Sequence, residues 1–282
     1  MRVVTTAAEL PAPGLRSGPR AVVMTMGALH EGHVELLHVA RREAGDDGLV
    51  MATIFVNPTQ FGAGEDFGRY PRALEADVAA CEAAGVDVVL APDVREVYGD
   101  TGGFRADSIT IDPGPLGDVL EGTARPGHFS GMLTVVHKLM WLTQPEIAIY
   151  GEKDYQQLVL IRRMVADLSM RVRVVGVSTV RESDGLAMSS RNRYLSEGGR
   201  RAARAVPRAL DAVVAALPGG VEAAIAAGRA VVDAEPAVAL DYLVVTDAEL
   251  RTPPAAGPAR ALIAAVVDGT RLIDNQPCVV GP

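Results

Sequence analysis

The chain has 282 residues, 49% of them apolar and only 4% aromatic, with a formal net charge of −8. That length suits two domains better than one, and the composition calls for a core of Val, Leu, Ile and Ala. The acidic balance argues against a nucleic-acid partner, and the helical stripe Arg200, Arg201, Arg204 and Arg208 reads as a solvated face. Cys81 and Cys278 are too few for a disulfide framework or a zinc site and read as two free thiols. No apolar run approaches the roughly 18 residues of a membrane span, and the opening segment, interrupted by Pro11, Pro13 and Pro19, carries no secretory signal. A soluble, cytoplasmic chain with no membrane partner is the expectation.

Strand-like and helix-like stretches alternate through the first 180 residues. Arg20 to Thr25 predicts a strand, Glu31 to Glu43 a helix and Leu49 to Val56 a second strand. Asp66 to Ala84 reads as a connection and helix closed by Gly85, followed by the strand Val86 to Leu90. Phe129 to Leu142 predicts a helix, Glu146 to Tyr150 a strand, Tyr155 to Leu168 a helix and Val172 to Val177 a strand. Such alternation implies a mostly parallel sheet with helices on both faces, with ligands bound beyond the carboxyl ends of its strands. After residue 180 the texture changes to Ala-rich helices, Gly198 to Leu217 and Val221 to Asp233. The strands Leu240 to Thr246 and Arg260 to Val267 follow, with Pro253, Pro254 and Gly257 between them. The expected domains are therefore 1–180, an α/β sheet domain, and 181–282, a smaller α+β domain.

Four polar blocks follow predicted strands. MGALHEGH, Met26 to His33, joins a strand to a helix start, where backbone N–H groups and the helix dipole favour a phosphate. Gly27 and Gly32 admit a bulky anion, and His30 and His33, three apart, share a helix face. FVNPTQFG, Phe55 to Gly62, leaves the amides of Asn57 and Gln60 at a loop mouth, suited to a substrate rich in hydroxyl and carbonyl groups. GEKDYQQL, Gly151 to Leu158, offers Lys153 to a phosphate oxygen, Asp154 as a helix cap, and Gln157 four residues beyond Lys153. MSSRNRYL, Met188 to Leu195, supplies Ser189, Ser190 and Arg191 as a mobile anion clamp.

These four blocks, in this order, resemble the pantoate–β-alanine ligase family, and the likeness runs from about residue 20 to Arg271–Asn275. The first and last blocks look like the HIGH and KMSKS elements of the wider nucleotidylyltransferase superfamily. The resemblance implies a Rossmann-like domain, and the position of Met188 to Arg191 near the domain junction makes the smaller C-terminal unit the expected lid over ATP. The resemblance also implies ATP-dependent joining of (R)-pantoate to β-alanine through a pantoyl adenylate, with release of AMP and pyrophosphate. It carries ATP contacts to Met26, Gly27, Ala28, Leu29, His30, Glu31, Gly32 and His33, to Gly151, Glu152, Lys153 and Asp154, to Val180, and to Met188, Ser189, Ser190 and Arg191. His33 takes the place of the proposed proton donor, and His30, Lys153, Ser189 and Arg191 join it as catalytic candidates. Gln60 and Gln157 fall on pantoate contacts, while Asn57, Tyr70, Asp77, Arg125 and His128 fall on the pocket lining. Mg²⁺ accompanies ATP as co-substrate. Ala76 stands where the family often has a second acidic residue, so no protein metal ligand is assigned. A homodimer is implied by the resemblance alone.

The residue chemistry agrees with that reading. A carboxylate attacking the α-phosphorus is already ionised at neutral pH and needs no general base. The task is charge neutralisation and alignment, for which Lys153, His30, His33, Ser189, Ser190, Arg191 and the amides after Gly27 are suitable. The rival reading is a nucleotidylyltransferase of the same fold acting on a phosphate ester. Three pocket amides, Asn57, Gln60 and Gln157, favour a hydroxy acid over a second phosphate.

Overall fold

The computed structural model describes residues 1–62, 66–99 and 108–281. They divide into two compact units, Met1–Gly151 with Leu160–Val177, and Glu152–Val159 with Ser178–Pro282. The first unit holds the strands β1 (Arg2–Val4), β2 (Arg20–Thr25), β3 (Leu49–Ile54), β4 (Val88–Leu90), β5 (Ile147–Gly151) and β6 (Arg173–Val177). They form one parallel sheet in the order β1-β4-β3-β2-β5-β6. Its helices are α1 (Glu31–Ala44), α2 (Leu74–Ala83), α3 (Val94–Tyr98), α4 (Glu121–Ala124) and α5 (His128–Thr143). A sixth, α6 (Tyr155–Asp167), begins in the second unit and ends in the first.

The central strands are continuous apolar runs because both faces of the sheet are buried. Ala21, Val23, Val50, Ala52 and Ile149 pack on one face with Leu37 and Ala40 of α1 and Cys81 of α2. Val22, Met51, Val88 and Leu90 form the opposite cluster. Strand order reverses between β2 and β5, and at such a switch point a parallel sheet opens a crevice at its carboxyl edge. The chain leaves β2 through Met26 and β5 through Gly151. The edge strand β1 lies outside the predicted elements, because a run of three residues carries no periodic signal.

The second unit contains α7 (Glu197–Ala203), α8 (Ala205–Ala216), α9 (Val221–Asp233) and an antiparallel sheet in the order β7-β8-β9. The strands are β7 (Val238–Thr246), β8 (Gly257–Val267) and β9 (Thr270–Val280). Leu210 and Val213 of α8 pack with Leu243, Val245 and Ile263 in its core. The single helix expected over 198–217 is two helices meeting at Arg204. Pro207 has no N–H to give the Ala203 carbonyl, so the helix restarts. β9 is likewise absent from the predicted elements, since Asp274–Asn275–Gln276–Pro277 reads as polar loop. It is an edge strand, where a proline is tolerated. The readable signal is Asp268–Gly269, both at positive φ (50° and 70°) in the β8–β9 turn, a hairpin dipeptide. Among the described residues no helix is long and apolar enough to cross a membrane.

Asp87 ties α1 to the sheet. Its Oδ2 accepts from Arg41 and from the Val50 N–H at 2.8 Å, and its Oδ1 from Arg16 at 2.8 Å. Burial pushes this carboxyl up, but the Val50 amide, Arg41 and Arg16 outweigh it and hold it below the ordinary value. A group depressed in this way stabilises the fold above its unfolded value, near pH 4, and the gain disappears as pH falls through the folded value. Asp87→Asn is expected to cost about 1–2 kcal/mol at pH 7, with the gap to the parent closing in acid. Urea titrations at several pH values check this, and a gap that stays constant into acid contradicts the ionic account.

Candidate active site

In the first unit, the turn after β2 is built around a buried carboxylate. Asp77, 3% exposed in the first turn of α2, accepts from the Ala28 N–H at 2.9 Å and the Leu29 N–H at 2.7 Å. Gly27 and Ala28 both stand at positive φ, 81° and 53°. For Ala28 that is a strained conformation, held because its N–H and the next point at the same anion. A Cβ on Gly27 would lie 2.8 Å from Asp77 Oδ2, so glycine is required there for space as well as for backbone freedom. The structure thus corrects one expectation. The Ala28 and Leu29 amides, assigned to phosphate, are already satisfied by Asp77. The pocket-lining residue Asp77 is in turn an internal anion with both oxygens engaged.

His30 is the residue before α1 rather than its first turn, with extended backbone (φ −131°, ψ 174°). Its carbonyl accepts from the His33 and Val34 N–H groups at 2.8 and 3.1 Å. Its own N–H donates to His33 Nδ1 at 3.3 Å, and the two rings stack 4.0 Å apart with a 36° tilt. A neutral His33 bonded this way carries its proton on Nε2, leaving that nitrogen the donor. Cys81, behind Asp77, is an inert thiol, pushed up to about 11 by burial and by the Asp77 charge.

The second block of the same unit is equally ordered. Asn57 caps the turn Pro58–Gln60, and Gln60 Nε2 donates to Met26 Sδ at 3.0 Å. The Gln60 backbone carbonyl is held by His128 Nδ1 at 2.8 Å and Arg125 Nη2 at 3.3 Å. Arg125 Nη1 also lies 3.0 Å from His128 Nε2. A carbonyl only accepts and a guanidinium only donates, so His128 is the neutral Nδ1–H tautomer. α5 approaches this turn closely at Gly131, where a Cβ would lie 2.2 Å from the Thr59 carbonyl oxygen. Tyr70 is buried, 5.9 Å edge-on from Phe61. Met26, Gln60, Arg125 and His128 are therefore joined in one bonded cluster, with Tyr70 beside it on Phe61.

The remaining predicted residues lie in the second unit, except Gly151, which ends β5. Asn275 of β9 donates from Nδ2 to both the Glu152 and Lys153 carbonyls, each at 2.9 Å. The Glu152 carboxylate pairs with the buried Arg260 at 2.8 Å, and that guanidinium lies 3.8 Å over the Tyr155 ring. The loop backbone is pinned, while the Lys153 ammonium has Asp154, 3.6 Å away, as its ion-pair partner among the described residues. Asp274, next to Asn275, makes a two-pronged pair with Arg181 at 2.6 and 3.0 Å. Arg181 bridges to Ala187, and the Met188 N–H donates to the Val180 carbonyl at 2.9 Å. Ser189 Oγ accepts from the Arg191 N–H at 3.3 Å, opening the helical turn Ser190–Tyr194. Lys153 and the segment Met188–Arg191 are thus fixed through one chain, Arg181–Asp274–Asn275. Gln157, on α6, is half-buried. Sequence reasoning assigns no role to Arg181, Arg260, Asp274 or Asn275, because ion pairs and amide clamps across a sheet leave no local spacing to read.

Two substitutions test this architecture. Asp77→Asn leaves one amide without an acceptor and faces it with an NH₂ group, so a loss of about 2 kcal/mol in urea unfolding is expected. Unchanged stability would contradict the two-amide grip. Gly131→Ala is expected to destabilise by about 1–3 kcal/mol, because the clash is with backbone; a neutral result would mean that α5 and the Pro58–Gln60 turn separate freely.

The family described as pantoate-beta-alanine ligase matches residues 2–277. A pantothenate synthetase from Salinispora arenicola is 53% identical over 285 residues, covering 99% of this chain and 98% of that protein. One from Saccharopolyspora erythraea is 54% identical over 260 residues, covering 92% and 84%. The crystal structure of pantothenate synthetase from Thermus thermophilus superposes with a TM-score of 0.90 at 47% identity over the whole of both chains. The pantoate-beta-alanine ligase from Francisella tularensis, complexed with beta-gamma ATP and beta-alanine, has a TM-score of 0.78 at 31% identity, covering 98% and 97%. Agreement of sequence and overall fold over nearly the full length leaves one conclusion: the chain belongs to the pantoate–β-alanine ligase family.

Proposed function

We propose that the chain condenses (R)-pantoate with β-alanine at the expense of ATP, through an enzyme-bound pantoyl adenylate. The observation that carries this reading is the family match across residues 2–277, which favours a ligase over a nucleotidylyltransferase acting on a phosphate ester. In the first step a pantoate carboxylate oxygen bonds to the α-phosphorus and pyrophosphate leaves. In the second the β-alanine amine bonds to the acyl carbon, AMP leaves, and the amine loses a proton.

The geometry supports particular roles. Gln60, positioned by Asn57, Arg125 and His128, receives pantoate; Gln157 is assigned to pantoate by the family resemblance alone. Lys153, on a loop whose backbone is clamped by Asn275, neutralises phosphate charge, with Ser189, Ser190 and Arg191 as the second cationic and hydroxyl group. His33, with Nδ1 already bonded, offers its Nε2 proton to the leaving pyrophosphate. His30 orients it. Residues 181–282 act as the lid domain, with Val180 at its junction and Met188 to Arg191 within it contributing to ATP. Mg²⁺ enters with ATP, held mainly by phosphates and water; the donor set fits that arrangement, since both Asp77 oxygens are on amides and Ala76 adds none. The two free, buried cysteines agree with a reducing cytoplasm. A homodimer is inferred from the family resemblance.

Pyrophosphate release is expected with ATP, Mg²⁺ and pantoate alone, and AMP release only once β-alanine is added. AMP released without the amine would contradict the two-step order. Lys153→Ala is expected to slow pyrophosphate release at least 100-fold (about 2.7 kcal/mol of barrier) with an unchanged melting temperature, because Asn275 holds this loop by its backbone carbonyls. Normal release by that variant would remove Lys153 from the reaction.

A further inference from the structure

The Gln60 amide is set in one orientation by partners of fixed polarity. Asn57, 1% exposed, is where the order begins. Its Oδ1 accepts from the Thr59 backbone N–H at 3.3 Å, a group that only donates. Its Nδ2 reaches the Gly131 carbonyl at 3.3 Å, a group that only accepts. Together these decide which end of the Asn57 amide is oxygen. The other Nδ2 hydrogen goes to Gln60 Oε1 at 3.1 Å. Gln60 therefore turns its nitrogen away from Asn57, and that nitrogen meets Met26 Sδ, the first residue of the histidine loop. A thioether is a weak acceptor, so an N–H resting on it exchanges readily for an oxygen.

Tyr98 completes the arrangement. Its hydroxyl donates to Asn57 Oδ1 at 2.7 Å, the shortest bond that oxygen makes, and lies 3.0 Å from Thr59 Oγ1. Burial pushes this phenol up to about 12, so it keeps its proton throughout the neutral range. Lys138, 5.4 Å over the Tyr98 ring and bonded to the Val97 carbonyl at 3.1 Å, braces it. Asn57 Oδ1 thus receives Tyr98, the Thr59 amide and the Thr59 hydroxyl, while both Nδ2 hydrogens are used. The Asn57 side chain has no donor left for a ligand.

We propose that Asn57 and Tyr98 are positioning residues that lock the Gln60 amide with its NH₂ end toward the histidine loop, so that Gln60 reads the substrate as a donor and selects an acceptor oxygen. Asn57 then acts through Gln60 and makes no substrate contact of its own. This inference rests on the ligase reading, in which the acceptor is a carboxylate or hydroxyl oxygen of the hydroxy acid.

A double-mutant cycle on the full-length chain tests it. Pantoate affinity is measured by calorimetry, with the KM for ATP followed through pyrophosphate release. Asn57→Ala is expected to weaken pantoate about tenfold and Tyr98→Phe about threefold, each with the KM for ATP within twofold of the parent. In a Gln60→Ala background both effects are expected to shrink below twofold, because the amide they orient is gone. If Asn57→Ala costs the same factor with and without Gln60, Asn57 touches substrate directly and the proposal is overturned. Loss of pantoate and ATP affinity together, with a lower melting temperature, would also overturn it, as a general packing role. Should Asn57→Ala fail to fold, the Tyr98→Phe arm of the cycle decides between the same two outcomes. A parent chain that neither binds pantoate nor releases pyrophosphate with it would overturn the ligase reading itself. Parent activity with additive variants overturns only the lock.

Discussion

The turn that carries the histidines depends on a carboxylate taken out of water and met by two backbone amides. An isolated buried carboxylate is unfavourable by several kcal/mol, so Asp77 stays at 3% exposure only because the Ala28 and Leu29 N–H groups converge on it. The same bonds hold Ala28 in a left-handed conformation that an L residue otherwise avoids. The two hydrogen bonds offset both costs, the strain at Ala28 and the desolvation of Asp77. The consequence is a rigid path from β2 into α1, with His30 extended ahead of the helix and His33 in its first turn. The Ala28 and Leu29 amides are committed to Asp77 and not left open.

The second unit solves a comparable problem by different means. Lys153 sits on a short loop that would be mobile if left to local interactions alone, and so does the segment from Met188 to Arg191. Asn275 clamps two successive carbonyls of the first loop, and its neighbour Asp274 grips Arg181, which anchors the second. Two adjacent positions on one edge strand thus order both segments. Burial by itself would push the Arg181 guanidinium down, but Asp274 more than compensates and raises it, as a desolvated pair with matched forks should. Both segments are in this way held through their backbones by residues distant in the chain.

Much of this is legible in the chain. The apolar runs of β2, β3 and β5 and the amphipathic spacing of α1 and α6 follow from local physics, because a buried parallel strand must be apolar on both faces. The four polar blocks are equally visible, the first three where a strand ends and the fourth in the connection after β6. Less visible are β1, too short for periodicity, and β9, whose polar centre disguises a strand. The break between α7 and α8 is written in Pro207, and the β8–β9 turn in Asp268–Gly269, but neither outweighs the surrounding alanine-rich or polar texture.

The sequence by itself determined the alternating architecture, the family and the inventory of histidine, amide, lysine and serine–arginine groups, since these depend on residue type and near-neighbour spacing. Only the tertiary structure decided which of those groups are committed to the protein. Asp77 reaches amides 48 and 49 positions away, Tyr98 orders Asn57 across 41 positions, and Asn275 holds Lys153 across 122. A hydrogen bond is specific over about 3 Å and carries no mark along the chain. Whether an amide is open to a ligand or already satisfied is therefore settled by the packing that brings its partner in.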